Sequence, residues 1–271
     1  MTRSARTRVS VAAALVAAAT AALPLAAQDR FPSTAGDITV TPLVHASVRL
    51  DFAGRTIYID PWNAVGLGAL PKSDLIIITD NDSNAHHMDP GAIAALRAPG
   101  GTVVMPASGR SVVPDGVVLP NGASRSFGNV TVESIAAYDI IPGEPAHPKG
   151  DANGYMLTMG GTRVYFAGVT ECVPEIKALT RIDVAFMPMN LPLGRMKPDA
   201  VAACVRAITP KVVYPYHYDQ GYQGRLAGRG DANGGAAAEA SIGTLRDLLK
   251  GVADVRGGNW YPSRPAAPAG R

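Results

Sequence analysis

The chain has 271 residues, with 25 basic and 22 acidic side chains, a formal charge of +3 and two cysteines. Arg3, Arg6 and Arg8 lie in the first 27 residues with no acid beside them, which leaves 22 charges of each sign in the remainder. That balance offers no electrostatic footprint for nucleic acid or for an anionic membrane surface, and the remaining length suffices for one large domain with a full core.

Residues 1–27 read as a secretory signal peptide: a basic start, an Ala/Val/Leu-rich run over 9–23, then Pro24-Leu25-Ala26-Ala27 before Gln28. The expected location is therefore periplasmic or secreted, with no stable membrane association once the leader is removed. A domain over 28–262 and a Pro/Ala/Gly-rich flexible tail over 263–271 complete the expected organisation.

Alternating residues over 38–41 and 48–52 predict strands, and Ala53-Gly54 turns into a returning strand over 56–59 that ends at Asp60-Pro61. The apolar run 75–79 reads as a buried strand. A loop rich in possible metal ligands follows it at once, with Asp80, Asp82, His86, His87 and Asp89 within ten residues. Asp89-Pro90 then opens a helix over 91–97, with the aspartate as cap and proline at the first helical position. Strands are expected over 102–105 and 130–136. A hairpin over 155–159 and 163–167 turns at Gly160-Gly161, where glycine supplies the positive φ that a tight turn needs. A short helix over 174–179, a strand over 182–187, a helix over 198–208 and a strand over 212–216 ending at His217 follow. A Gly-rich loop over 221–235 and a helix over 236–249 close the domain. Cys172 and Cys204 form a disulfide or stay as two buried thiols, and their spacing does not decide between these.

Several segments share one order. They are His45-Ala46-Ser47 with Gly54 and Ile59-Asp60-Pro61; Ile76 to Pro90; Ala137-Tyr138-Asp139 with His147-Pro148-Lys149-Gly150; Tyr165 to Thr170; Ile182-Asp183-Val184 with Pro188; and Pro215-Tyr216-His217-Tyr218. With them the chain resembles the metallo-β-lactamase superfamily, in its small metal-dependent hydrolase or lactonase-like branch. The resemblance implies an α/β fold, a four-layer αβ/βα sandwich with a metal site at its edge.

The family's Thr-His-x-His-x-Asp-His loop corresponds here to Thr79-Asp80-Asn81-Asp82-Ser83-Asn84, with two further residues before His87. His87 matches the last histidine of that motif, and His86 competes for the role. His147 and His217 match family histidines, which gives an expected metal set of Asp80, Asp82, His87, His147 and His217. Asp60 matches a carboxylate that supports the metal loop without ligating. Val169 stands where the family's metal-bridging aspartate belongs. Two dications about 4 Å apart repel by roughly 16 kcal/mol at an effective dielectric near 20, so loss of that bridge points to one divalent ion, Zn²⁺ or Mn²⁺, or to none.

The expected function is a hydrolase using metal-activated water on an ester, lactone or phosphoester of small size, with Asp80, Asp82 or His217 moving protons. The alternative is a catalytically inactive member acting as a binding or structural module. His45 reads more naturally as a packed structural histidine than as a ligand. There is no Gly-x-Ser-x-Gly elbow, P-loop or dinucleotide fingerprint to support another chemistry.

Overall fold

The computed structural model describes residues 28–65, 67, 70–81, 86–142, 147–219, 235–258 and 260. The expected leader over 1–27, Asp82, most of the expected 221–235 loop and the 263–271 tail lie outside the described residues.

Two seven-stranded sheets carry the fold. The first contains β1 (Asp29–Phe31), β2 (Ile38–Val44), β3 (Ser47–Phe52), β4 (Arg55–Ile59), β5 (Ser73–Ile77), β6 (Arg97–Met105) and β7 (Val117–Val118), side by side in chain order. The second contains β8 (Ser124–Phe127), β9 (Val130–Ala137), β10 (Ala152–Met159), β11 (Thr162–Phe166), β12 (Val184–Pro188), β13 (Val212–Tyr216) and β14 (Asp254–Val255). Each sheet begins with four antiparallel strands and continues in parallel. The helices are α1 (Pro90–Leu96), α2 (Pro174–Lys177), α3 (Pro198–Ile208) and α4 (Gly235–Leu248). Among the described residues, no helix is long and apolar enough to cross a membrane.

The period of two in a strand explains the layering. Ile57, Ile59, Leu75 and Ile77 join the core between the sheets, whereas Tyr58, Ile76 and Ile78 point the other way. There they meet Ala92, Ile93 and Leu96 of α1, and burying side chains such as Ile93 and Leu96 contributes about 1.5–3 kcal/mol each. A strand covered on both faces needs apolar residues at every position, hence the unbroken Leu75–Ile78 run. On the second sheet, α3 buries Val201, Ala202, Cys204, Val205 and Ile208, and it packs beside α4. The result is the expected α/β sandwich of four layers.

Most elements fall within a few residues of expectation. The largest difference is β6, which begins at Arg97, straight out of α1; Gly100-Gly101 interrupts its apolar pattern, so only 102–105 reads as a strand in sequence. The short strands β1, β7, β8 and β14 carry too few alternating residues to announce themselves. Gly160 and Gly161 take φ of 52° and 84° at the β10–β11 turn, as expected. Cys172 and Cys204 form a disulfide that joins the segment after β11 to α3.

Candidate metal centre

Loops following β4, β5, β11 and β13 converge at one end of the sandwich, where the parallel strands finish. His45 occupies the tight β2–β3 turn, Asp60 follows β4, and His86 and His87 precede the α1 cap at Asp89. His217 follows β13. His45, Asp60 and His217 adopt φ of 54°, 43° and 53°. A left-handed backbone costs a non-glycine residue roughly 1–2 kcal/mol, and such strain concentrates at functional sites. His217 N–H donates to the His45 carbonyl at 3.0 Å, which ties the second sheet to the first beneath the site.

Gly168 makes a second tie possible. With φ of 72°, any Cβ there would stand 2.9 Å from the Asn153 carbonyl oxygen and 3.2 Å from Thr79 Cβ. The sheets approach closely at that point, and Asn153 N–H donates to the Thr79 carbonyl at 2.8 Å.

Four histidines, His45, His86, His87 and His217, form a buried cluster in which one ligand nitrogen from each lies within 4.8 Å of the others. His45 and His217 have ring centroids 3.9 Å apart, and His87 stacks on His217 at 5.1 Å. Burial pushes the His45 imidazolium well below its usual pKa, and His217, His87 and His86 push it further. His217 is lowered in the same way, by burial and then by His87 and His86. Both rings are therefore neutral at pH 7, the form in which imidazole ligates metal.

Carboxylates stand behind two of the rings. Asp60, fully buried, accepts from Thr79 N–H at 2.7 Å and from Thr79 Oγ1 at 2.6 Å, and its Oδ2 lies 2.8 Å from His87 Nδ1. Asp219 Oδ1 lies 2.8 Å from His45 Nδ1. An ionised carboxylate only accepts, so each Nδ1 carries the proton and each Nε2 keeps its lone pair. Histidines that ligate metal are commonly held in this way. Four imidazoles in a buried site suit a divalent transition ion such as zinc, so the donor set fits.

The residues expected from sequence fall into two groups. His87 and His217 belong to the cluster, joined by His45 and His86. Asp80 and His147 instead pair with each other, His147 Nε2 lying 3.4 Å from Asp80 Oδ2. On its other side His147 Nδ1 lies 3.3 Å from Asp139 Oδ2, and its backbone N–H donates to the same oxygen at 3.0 Å. Burial alone would lower the His147 pKa, but Asp80 and then Asp139 outweigh it and raise the value. Asp139 is also bonded to the buried Arg195 guanidinium. Asp82 lies outside the described residues. Val169 is buried within the apolar core.

Asp219 is the member a linear reading passes over, and His45, expected as a packed structural histidine, instead stands in the cluster. A lone histidine in a β-turn carries no spacing signal, and Asp219 gains its role only because the two sheets bring it to His45. The run His217-Tyr218-Asp219, ending in a carboxylate two residues past a strand-end histidine, is the clue available in sequence.

Residues 39–217 match the model of the β-lactamase superfamily domain. A UPF0173 metal-dependent hydrolase from Anaeromyxobacter dehalogenans is 30% identical over 250 residues, covering 82% of this chain and 84% of that protein. Another of that name from Aeropyrum pernix is 28% identical over 200 residues, covering 66% and 81%. Among solved structures, a protein of proposed metal-dependent hydrolase activity from Parabacteroides distasonis superposes with a TM-score of 0.75 at 34% identity, covering 87% of this chain and 99% of its own. A diiron β-hydroxylase from Streptomyces venezuelae shares the fold at a TM-score of 0.63 and 18% identity, covering 84% and 53%.

Proposed function

This chain belongs to the metallo-β-lactamase superfamily, and on that premise we propose that it is an exported hydrolase that holds one divalent ion in an altered shell and cleaves a small ester, lactone or phosphoester. The observation that carries the reading is the buried cluster of His45, His86, His87 and His217. When bound, an ion there supplies Lewis acidity that brings the pKa of water toward ~7. Zn²⁺ is favoured by an all-imidazole donor set, with Mn²⁺ the second choice.

The chain's own residues divide the remaining work. Asp60 and Asp219 orient His87 and His45 and fix their tautomers. His147 stands between Asp139 and Asp80, placed to carry a proton between the pair and a bound substrate. Asp80 and Asp139 hold it in one orientation, which a flexible imidazole would otherwise lose. The shell is altered in two respects. Asp80 replaces a motif histidine and pairs with His147, and Val169 leaves no carboxylate to bridge a second ion. Export is supported by the leader-like 1–27 segment and by the Cys172–Cys204 disulfide, a bond that persists in oxidising compartments.

The same two substitutions favour a second reading, an inactive member that retains the fold for binding. One experiment separates the two. Purified mature protein is analysed for metal content and for thermal stabilisation by Zn²⁺ and Mn²⁺, beside His87→Ala and His217→Ala. The hydrolase reading expects close to one ion per chain, a raised melting temperature and loss of both in the variants. If neither ion binds nor raises the melting temperature, the inactive module is the better account.

A further inference from the structure

Resting on that reading, we infer that the substrate is an uncharged carbonyl compound, a carboxylic ester with an apolar acyl group, and that Ile140 and Leu193 receive that group. Charge supplies the first argument. Among the described residues, the buried carboxylate and guanidinium side chains are Asp60, Asp80, Asp139, Asp219 and Arg195, four negative against one positive. A divalent ion brings their sum to −1, and a proton on His147 brings it only to zero. Phosphoesters carry one or two negative charges of their own, which that balance leaves without a complementary positive field.

Two of the three cations here are already engaged. Arg195 bonds Asp139 through its guanidinium end and the Pro192 carbonyl through Nε at 2.9 Å. Lys149, two residues past His147, is bonded to Glu175 and lies 5.0 Å over the Tyr138 ring. The third, Lys197, is exposed at the base of the Leu193 turn. A neutral substrate has no need of it.

Apolar exposure supplies the second argument. Three large hydrophobic side chains are exposed among the described residues, and two of them flank the Asp139–Arg195 pair: Ile140 at 53% and Leu193 at 74%. Asp139 holds His147, so both apolar groups stand on the loops that frame the proton-carrying histidine. Leu193 also takes a left-handed backbone, φ 62° and ψ 22°. A solvent-exposed turn with that geometry favours glycine or asparagine, and a leucine there is strained without the compensation of packing. Its place is explained if an apolar ligand covers it. The Trp62 ring meets the His86 ring edge-on at 6.3 Å, which adds an aromatic side chain to the wall of the cluster.

The reaction implied is plain hydrolysis. The oxygen of water bonds to the acyl carbon, the bond from that carbon to the ester oxygen breaks, and one water proton passes to the departing alkoxide. The products are a carboxylate with its released proton and an alcohol, with no redox partner.

The test uses full-length mature protein loaded with Zn²⁺. Calorimetry compares acetohydroxamate, hexanohydroxamate and phenylphosphonate, and kinetics compares p-nitrophenyl acetate with p-nitrophenyl hexanoate. The expected results are at least 5-fold tighter binding of the six-carbon than the two-carbon hydroxamate, phenylphosphonate at least 10-fold weaker than hexanohydroxamate, and kcat/KM at least 5-fold higher on the hexanoate. In Ile140→Ser/Leu193→Ser, both chain-length ratios fall toward one; circular dichroism and retained Zn²⁺ content establish that the variant is folded. Phenylphosphonate binding as tightly as hexanohydroxamate, or chain-length ratios that survive in the folded variant, overturns the inference while leaving the metal-dependent reading intact. A chain that binds no ion removes that parent reading and this inference with it.

Discussion

Asp60→Asn is the sharpest perturbation of the candidate centre because it removes a charge without changing shape. The Asp60 carboxylate makes three contacts: Oδ1 accepts from Thr79 N–H at 2.7 Å, and Oδ2 accepts from Thr79 Oγ1 at 2.6 Å and from His87 Nδ1 at 2.8 Å. The backbone N–H cannot turn away, so the asparagine oxygen must face it. The amide nitrogen then points at Thr79 Oγ1 and His87 Nδ1. The hydroxyl can rotate to accept, but His87 must move its proton to Nε2 to avoid two donors in contact. That proton blocks the nitrogen expected to ligate. Loss of such an outer partner typically weakens metal binding about 10–100-fold, or roughly 1.4–2.7 kcal/mol. A competitive chelator titration of Zn²⁺ on wild type and variant reads this directly, with urea unfolding of the metal-free proteins as the control for stability. A folded Asp60→Asn with unchanged Zn²⁺ affinity would refute the assignment of His87 as a ligand oriented by Asp60.

Three further outcomes are expected. Cys172→Ser/Cys204→Ser opens a cross-link spanning 32 residues, and the chain-entropy relation gives a loss of about 3–4 kcal/mol, measurable by urea denaturation under non-reducing conditions; a loss under about 1 kcal/mol would contradict it. Gly168→Ala introduces a Cβ against the Asn153 carbonyl at a positive φ, costing about 2 kcal/mol or more and lowering the melting temperature by roughly 4–8 °C; an unchanged melting temperature would show that the strands can separate there. In metal-free protein, His45 and His217 have folded pKa values below the usual 6.5, so the unfolded chain binds more protons as the pH falls. Their contribution to stability is complete above about pH 6.5 and declines below it, so urea midpoints at pH 7.5, 6.5 and 5.5 are expected to fall in that order, more steeply in wild type than in His45→Ala/His217→Ala.

The core of the fold was legible because burial on both faces leaves a plain mark. Leu75–Ile78 is continuous and apolar because one alternate set meets the opposite sheet and the other meets α1. Turn chemistry was legible too, in Gly160-Gly161 and in the Asp89-Pro90 cap, where Asp89 Oδ1 accepts from Ala92 N–H at 3.0 Å. The candidate centre was legible only in part. His87, His147 and His217 stand out by their place after strands and by the family pattern. The partition between a histidine cluster and an Asp80–His147–Asp139 group depends on how the two sheets meet, which no local window records. His45 and Asp219 are 174 residues apart and become partners only across that seam. Exposure of Leu193 and burial of Arg195, two residues later, likewise depend on tertiary contacts, since nothing in Leu-Gly-Arg distinguishes them.

The central claim is that His45, His86, His87 and His217 hold one divalent ion. An anomalous difference map at the zinc edge, from crystals of the protein grown with Zn²⁺, tests it most directly. The account predicts one strong peak within about 2.0–2.1 Å of imidazole nitrogens of that cluster. A peak between Asp80 and His147 with none at the cluster, or no peak at all, would contradict it.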